Sequence, residues 1–355
     1  YRADLHGVDW PAMRASYALF LPEIENNMDL AELASELLGE LNASHTGCRW
    51  RPQAEGGDET ASLGLLFATE ELADGLRVAE VLPGGPCGTA ETRVRPGDVL
   101  LAIDGVALGI GVNPWALLNH KTGERVRLSF RDGANVSYDQ VVRPVSLGDE
   151  AGLLYRRLLE RRRAIVDRVS GGRVGYVHVA GMNDGSFRHL YQEALGRNAD
   201  KEALVVDTRF NGGGWLHDDL VVFLSGKRYM EFVPSGKQRG SMGGEPLQRW
   251  ARPSCMVMSE GNYSDAHLSP LAYRMLAIGK LVGAPVAGTG TAVWWEGLMT
   301  GDLVFGIPQV GMVDPDGNYA ENQTLEPDVL VLTDPAKIAA GVDEQLEAAT
   351  RLLLE

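Results

Sequence analysis

Leu204-Val205-Val206-Asp207, followed by Arg209-Phe210-Asn211-Gly212-Gly213-Gly214 and then by a helical stretch carrying Leu220, Val221 and Leu224, decides the reading of this chain. A short apolar run, a glycine turn and a helical stripe in that order form one strand–loop–helix step. Three consecutive glycines let backbone N–H groups face outward at the positive end of a helix, a place suited to developing negative charge and to half of an oxyanion hole. A tight turn accounts for the same residues. A phosphate loop does not, because the spacing is neither G-x-G-x-x-G nor G-x-x-x-x-G-K. Further strands are expected at Val174–Val179, Ala203–Asp207, Cys255–Ser259 and Pro285–Ala287, with helices between them. From about Leu147 onward this alternation predicts an α/β module.

Outward from that step, residues 5–41 read as helices. Trp10, Met13 and Tyr17 recur at helical spacing, and Leu30, Leu33, Leu37, Leu38 and Leu41 form a second stripe that should stop near Asn42. Asn42-Ala43-Ser44-His45-Thr46-Gly47 then places Ser44 and His45 on a loop past a helix end. Residues 51–60 turn to Pro, Gly and acid and read as a linker, and short β-type runs punctuated by glycine continue to about Val145. The division expected is 1–60, 61–146 and 147–355. At 355 residues the chain is long enough for two to three domains of roughly 150 residues.

The composition, 45% hydrophobic and 23% charged, is that of an ordinary globular protein and excludes disorder as the main state. A net charge of −15 repels phosphate backbones and anionic headgroups, so nucleic acid and membrane surfaces are not expected partners. The basic run Arg156-Arg157 with Arg161-Arg162-Arg163 sits among leucines and reads as a solvated helix face. No stretch approaches the roughly 20 apolar residues of a membrane span, and the opening residues lack a signal peptide's apolar core. The first residue is Tyr rather than Met, which is compatible with a trimmed chain whose upstream domains lie outside it. Cys48, Cys87 and Cys255 are widely separated and odd in number, which gives neither a disulfide framework nor a zinc spacing, and no cofactor or metal is expected. The compartment stays open, with the cytoplasm favoured.

A second candidate for chemistry follows the Cys255–Ser259 run. Glu260-Gly261-Asn262-Tyr263-Ser264-Asp265-Ala266 precedes a helix expected from about Pro270. A serine on such a turn exposes its hydroxyl while the next N–H supports an oxyanion, although G-x-S-x-G is absent and a helix-capping serine fits the same residues. Seven histidines compete as its base: His6, His45, His120, His178, His189, His217 and His267. His267 lies one helical turn past Ser264, His217 directly follows the glycine loop, and spacing alone does not choose His45. Near the C-terminus, Glu321 in Tyr319-Ala320-Glu321-Asn322 reads merely as an acid before a turn.

Val78–Pro86, ending in Leu82-Pro83-Gly84-Gly85-Pro86, followed by Val94-Arg95-Pro96-Gly97-Asp98-Val99-Leu100-Leu101-Ala102-Ile103-Asp104-Gly105, resembles a PDZ domain. Such domains add an extended peptide to a sheet edge and hold its carboxylate in a loop, for which Leu63-Gly64-Leu65-Leu66 fits, with Gly64 and Leu65 as peptide-binding residues. The ordered set of Ser44-His45, Asn211–Gly214, Asn262-Tyr263-Ser264-Asp265, Glu321-Asn322, Glu326-Pro327-Asp328 and the Gly341–Leu346 ending resembles the carboxy-terminal catalytic half of the tricorn protease family, within the tail-specific, PDZ-containing serine peptidases. The resemblance implies an α/β plus β fold: a helical N-terminal segment, a PDZ-like insert and a ClpP/crotonase-like α/β catalytic domain. It implies Ser264 as nucleophile, His45 as general base, Ser44 and Glu321 as groups orienting the imidazolium, and the amides of Asp265 and of Gly212 or Gly213, chiefly Gly213, as the oxyanion hole. The expected substrate is a peptide or unfolded protein, and a homo-oligomer is compatible with the family. Many tail-specific peptidases use a Ser-Lys dyad whose lysine lies in T-x-G-K-G; here Gly288-Thr289-Gly290 puts Thr289 in its place. Two other functions compete, a noncatalytic PDZ-containing peptide-binding scaffold and an acyl-CoA enzyme of the crotonase type. Glu231 and Asp218 are acids that would favour basic side chains beside the cut.

Overall fold

The computed structural model describes residues 2–52, 56–70 and 72–355. The chain divides into two compact units, one of residues 1–53 and 162–355, the other of residues 54–161. The helical start and the α/β module, expected as separate parts, thus share one unit. Among the described residues no helix is long and apolar enough to cross a membrane.

The larger unit is built on five parallel strands in the order Val329–Leu330, Lys280–Gly283, Ser254–Met258, Ala203–Asp207, Val174–His178. Every residue of the last three is buried, the continuous apolar signature of a parallel sheet covered on both faces. The strand at Ala203–Asp207 is as expected, and those at Val174 and Ser254 agree within a residue. The run expected at Pro285–Ala287 differs. The strand lies at Lys280–Gly283, and Val286 forms only an isolated antiparallel bridge with Leu325. The core packs Val177, Leu204, Val206, Met256 and Met258 against Leu220, Leu224 and Tyr273 of the flanking helices.

A second, antiparallel sheet of Gly47–Trp50, Leu303–Gly311 and Thr291–Gly297 carries the N-terminal segment onto this unit. Residues 51–60 had been read as the linker, but the strand before them was not legible. It is only four residues long, with a single buried side chain, Cys48. The Ser35 hydroxyl of the Asn27–Gly39 helix donates to Cys48 O at 2.7 Å and accepts Cys48 N–H at 2.8 Å. Asn27 Nδ2 and Trp50 Nε1 both donate to Asp302 Oδ2 at 2.8 Å. Helix, strand and hairpin are therefore fastened together on either side of the Ser44-His45 loop.

The smaller unit is an antiparallel sheet in the order Leu65–Phe67, Leu76–Val81, Val99–Ile103, Val126–Arg131, Ser137–Val142, with Val106–Ala107 paired to Val99–Ile103. Val78, Leu100, Ile103, Val126, Leu128 and Phe130 form its core. The arginine run departs from the expected solvated face. Arg157 and Arg161 pair with Glu80 within this unit, while Arg162 and Arg163 pair in the larger unit with Asp207 at 3.1 Å and Glu193 at 3.0 Å. Arg162 is largely buried because Asp207 is fully so, and a buried carboxylate requires a cationic partner.

Candidate active site

Two loops leave the carboxyl ends of neighbouring parallel strands, the edge where open α/β sheets bind ligands. The first follows Asp207. Arg209, buried, bonds Asp207 Oδ1 and Oδ2 at 2.9 and 2.8 Å and Asp343 at 3.0 and 2.9 Å, which ties the loop's start to the C-terminal segment. Asn211 then organises the glycines, donating to Val179 O at 2.8 Å and accepting Gly213 N–H at 2.9 Å. The second loop follows Met258. Asn262 Oδ1 accepts Ser259 N–H at 3.1 Å, and its amide donates to Thr208 Oγ1 at 3.0 Å and Ala266 O at 3.1 Å. Tyr263 N–H donates to Asn211 O at 3.0 Å, joining the two loops.

The helix starts at Asp265, not near Pro270. Pro270 has no N–H to give Ala266 O, and Asn262 Nδ2 supplies that bond from outside, so proline is tolerated inside the helix. Ser264 therefore sits at the residue before the helix with φ +58 and ψ −124, and its side chain makes no capping bond. It is not a helix-capping serine. Its hydroxyl lies 2.8 Å from His45 Nε2. Ser264 N–H donates to Thr289 Oγ1 at 2.8 Å, so the threonine read as standing in the place of a dyad lysine holds the Ser264 backbone.

Beyond the imidazole, Ser44 Oγ lies 2.9 Å from His45 Nδ1 and donates to Glu321 Oε2 at 2.9 Å, while Ser44 N–H donates to Glu321 Oε1. Glu321 is buried, and burial raises its carboxyl above the ordinary carboxylate value against the opposing Ser44 bonds. Burial also lowers His45 below 6.5, helped by the nearby Arg49 charge, which keeps the ring neutral at pH 7 and able to accept a proton. All four residues proposed for catalysis thus meet in one cluster. Two groups in contact with His45 were not singled out by the sequence. Thr291 Oγ1 is 2.9 Å from His45 Nδ1 and 2.8 Å from Ser44 Oγ, and Tyr263 OH accepts His45 N–H at 2.7 Å. Thr291 carried no local signal beyond lying two residues past Thr289; Tyr263 stood inside the quoted nucleophile motif.

The glycine loop departs in one detail from the expected oxyanion geometry. Gly213 N–H, expected to face the reacting centre, donates to Asn211 Oδ1. What Gly213 contributes is the missing side chain: at φ +97 a Cβ there would lie 2.6 Å from Ser264 Cβ. A Cβ at Gly212 meets open space. The Asp265 amide, in the first helical turn, has no intrahelical acceptor. Its carboxylate takes Leu216 N–H at 2.5 Å, His217 N–H at 3.0 Å and His217 Nδ1 at 2.5 Å, so His217 is committed to Asp265 rather than to Ser264. His267 is buried, accepts Thr289 N–H at 3.2 Å, and is pushed down to about 4 by burial.

Ser264, His45, Trp215, Leu268 and Met312 border a cavity of about 230 Å³; Leu268 and Met312 also border a larger one of about 730 Å³ that reaches His217, Leu271 and Met275. Glu231 and Asp218 border neither. Glu231 is on the hairpin of Met230–Glu231 and Gly244–Glu245, paired with Arg239 at 2.5 Å and Arg228 at 3.6 Å, and Asp218 is in the first turn of the His217–Ser225 helix. In the smaller unit, Gly64 and Leu65 are buried, and Gly64 N–H donates to Ser62 Oγ at 3.0 Å. Among the described residues no cluster of His, Cys, Asp and Glu could hold a metal ion.

Residues 173–331 match the model of peptidase family S41, and residues 1–39 match the tricorn protease C1 domain. Tricorn protease homolog 1 of Streptomyces coelicolor is 31% identical over 367 residues, covering 100% of this chain and 34% of that protein. The tricorn protease of Thermoplasma volcanium is 25% identical, covering 92% of this chain and 32% of that protein. The chain therefore spans about a third of the length of these relatives. A crystal structure of the tricorn protease superposes with a TM-score of 0.79 at 22% identity, over 97% of this chain and 34% of that one, a likeness of fold. Together the matches make the chain similar to tricorn proteases along essentially its whole length, with residues 173–331 matching peptidase family S41.

Proposed function

We propose that this chain hydrolyses peptides or unfolded polypeptides through an acyl-enzyme on Ser264. The observation that carries the reading is the 2.8 Å contact between Ser264 Oγ and His45 Nε2, made by residues 219 positions apart with a neutral imidazole between them and a carboxylate-backed hydroxyl. Ser264 Oγ attacks the scissile carbonyl as its proton passes to Nε2. The resulting imidazolium is held through Nδ1 by Ser44, whose own proton is directed to Glu321. The C–N bond breaks as Nε2 returns the proton to the leaving amine, and water repeats the sequence to release the acid. The Asp265 amide is one donor to the oxyanion. Gly213 or Gly212 supplies the second, and Gly213 does so only by leaving or sharing its bond to Asn211. In other serine enzymes one such donor is worth about 10² to 10³ in rate.

The smaller unit fits a PDZ-like module. Its Leu65–Phe67 strand stands at one end of the strand order, directly after Gly64 at φ +65. The five-stranded parallel unit fits the ClpP/crotonase type. Relatives about three times as long leave upstream domains and a homo-oligomer as part of this proposal. The peptidase relatives do not favour the noncatalytic scaffold.

A fluorophosphonate should label Ser264, and Ser264→Ala should abolish labelling. Product mass spectrometry on an unstructured protein should show cleavage that His45→Ala removes. Labelling that persists in Ser264→Ala sinks the assignment.

A further inference from the structure

We infer that Thr291 is a positioning residue for the general base, its hydroxyl serving as a second acceptor for the His45 Nδ1 proton alongside Ser44. This rests on the assignment of His45 as base.

A proton count around the ring leads there. If Nε2 is to accept from Ser264, the single proton of the neutral imidazole is on Nδ1. Two hydroxyl oxygens stand at the same 2.9 Å from Nδ1, Ser44 Oγ and Thr291 Oγ1. Glu321 only accepts when ionised, so Ser44 spends its one hydroxyl proton on Oε2 at 2.9 Å and keeps its lone pairs free. Thr291 can then direct its own proton only to Ser44, either to Oγ at 2.8 Å or to the carbonyl oxygen at 3.3 Å. Each assignment leaves Thr291 Oγ1 as an acceptor facing Nδ1. The four groups close with every proton placed, and the N–H is shared between two oxygens.

Thr291 is buried, and its backbone is the first residue of the strand that pairs with Leu303–Gly311, the same strand on which the Gly47–Trp50 segment lies. The arrangement that delivers His45 therefore delivers this hydroxyl with it. When Nε2 takes the Ser264 proton the ring becomes cationic, and both oxygens strengthen their hold on Nδ1–H. Each hydroxyl can then stand in for the other.

The test compares Thr291→Val, which keeps the shape and removes the hydroxyl, with Ser44→Ala, the double variant and Thr291→Ser, in the full-length protein. Two readouts are used, the rate of fluorophosphonate labelling and the NMR titration of His45. Each single variant should slow labelling about three- to tenfold at unchanged folding. The double should fall by more than the product of the singles, and Thr291→Ser should recover most of the rate. His45 should titrate lower in Thr291→Val, because a bond that strengthens in the cation has been removed, and lowest in the double variant; the remaining charged neighbours, Arg49 and Glu321, are present in every variant. A double variant no slower than Ser44→Ala, or an unmoved His45 titration in Thr291→Val, overturns the inference. A wild type that resists labelling overturns the peptidase reading instead, and the His45 titration still reports on the shared proton.

Discussion

The hydroxyl of Tyr263 accepts the backbone N–H of His45 at 2.7 Å, and the two rings lie 4.8 Å apart at 45°. Tyr263 precedes Ser264 in the chain, so the segment that presents Ser264 also clamps the loop that presents His45. His45 has φ +63, a conformation disfavoured for a side-chain-bearing residue, and this bond is one of those holding it there. Tyr263→Phe is expected to cost about 1 kcal/mol of stability and to slow Ser264 acylation roughly three- to tenfold. Melting curves and labelling rates on the same preparation check it, and a variant that labels at the wild-type rate removes the clamp.

Gly213 has no room for a side chain. A Cβ would approach Ser264 Cβ to 2.6 Å and Tyr263 O to 2.8 Å at φ +97. Gly213→Ala should lose about 10² or more in labelling rate, the scale of a displaced oxyanion donor. It should also melt lower than Gly212→Ala, whose added Cβ meets no atom within 4 Å. Equal melting temperatures for the two variants would refute the close approach.

His45 is held below 6.5 first by burial and then by the Arg49 charge. The base works only when neutral, so the acid limb of kcat/KM should lie below pH 6.5. Arg49→Gln removes a positive charge that opposes protonation, so the limb should move to higher pH. A pH–rate profile checks both, and a limb unmoved by Arg49→Gln would show the charge to be screened.

His217 behaves in the opposite sense. Its hydrogen bond to Asp265 raises it above 6.5, against the cost of burial. A raised folded value means that the charged pair's stabilisation is fully present below about 6.5 and fades as pH rises through the folded value. The melting difference between wild type and His217→Gln should therefore be larger at about pH 5.5 than at about pH 8.5. A difference independent of pH would mean that only the neutral hydrogen bond matters.

Much of the frame could be read directly. Continuous apolar runs at Val174, Ala203 and Cys255 announced strands of an α/β module because both sheet faces are covered, and the glycines after Asn211 announced a turn between strand and helix. Local rules misplaced what is repaired from a distance. Pro270 signalled a helix start, but Asn262 satisfies the carbonyl it leaves open. The arginine run looked solvated, yet Arg162 neutralises a buried Asp207. Thr291 left no trace, since a threonine at a strand's first residue is ordinary.

Read without its fold, the sequence determines that a serine follows one strand and a glycine loop follows another, and the ordered motifs bring in their resemblance to a peptidase. Only the tertiary structure decides which of seven histidines meets that serine. The choice is made by the Gly47–Trp50 strand pairing with Leu303–Gly311, which brings His45 to Ser264 and to Thr291. Backbone pairing between segments more than 250 residues apart leaves no periodicity in either one, because its hydrogen bonds are made by groups that every residue carries alike.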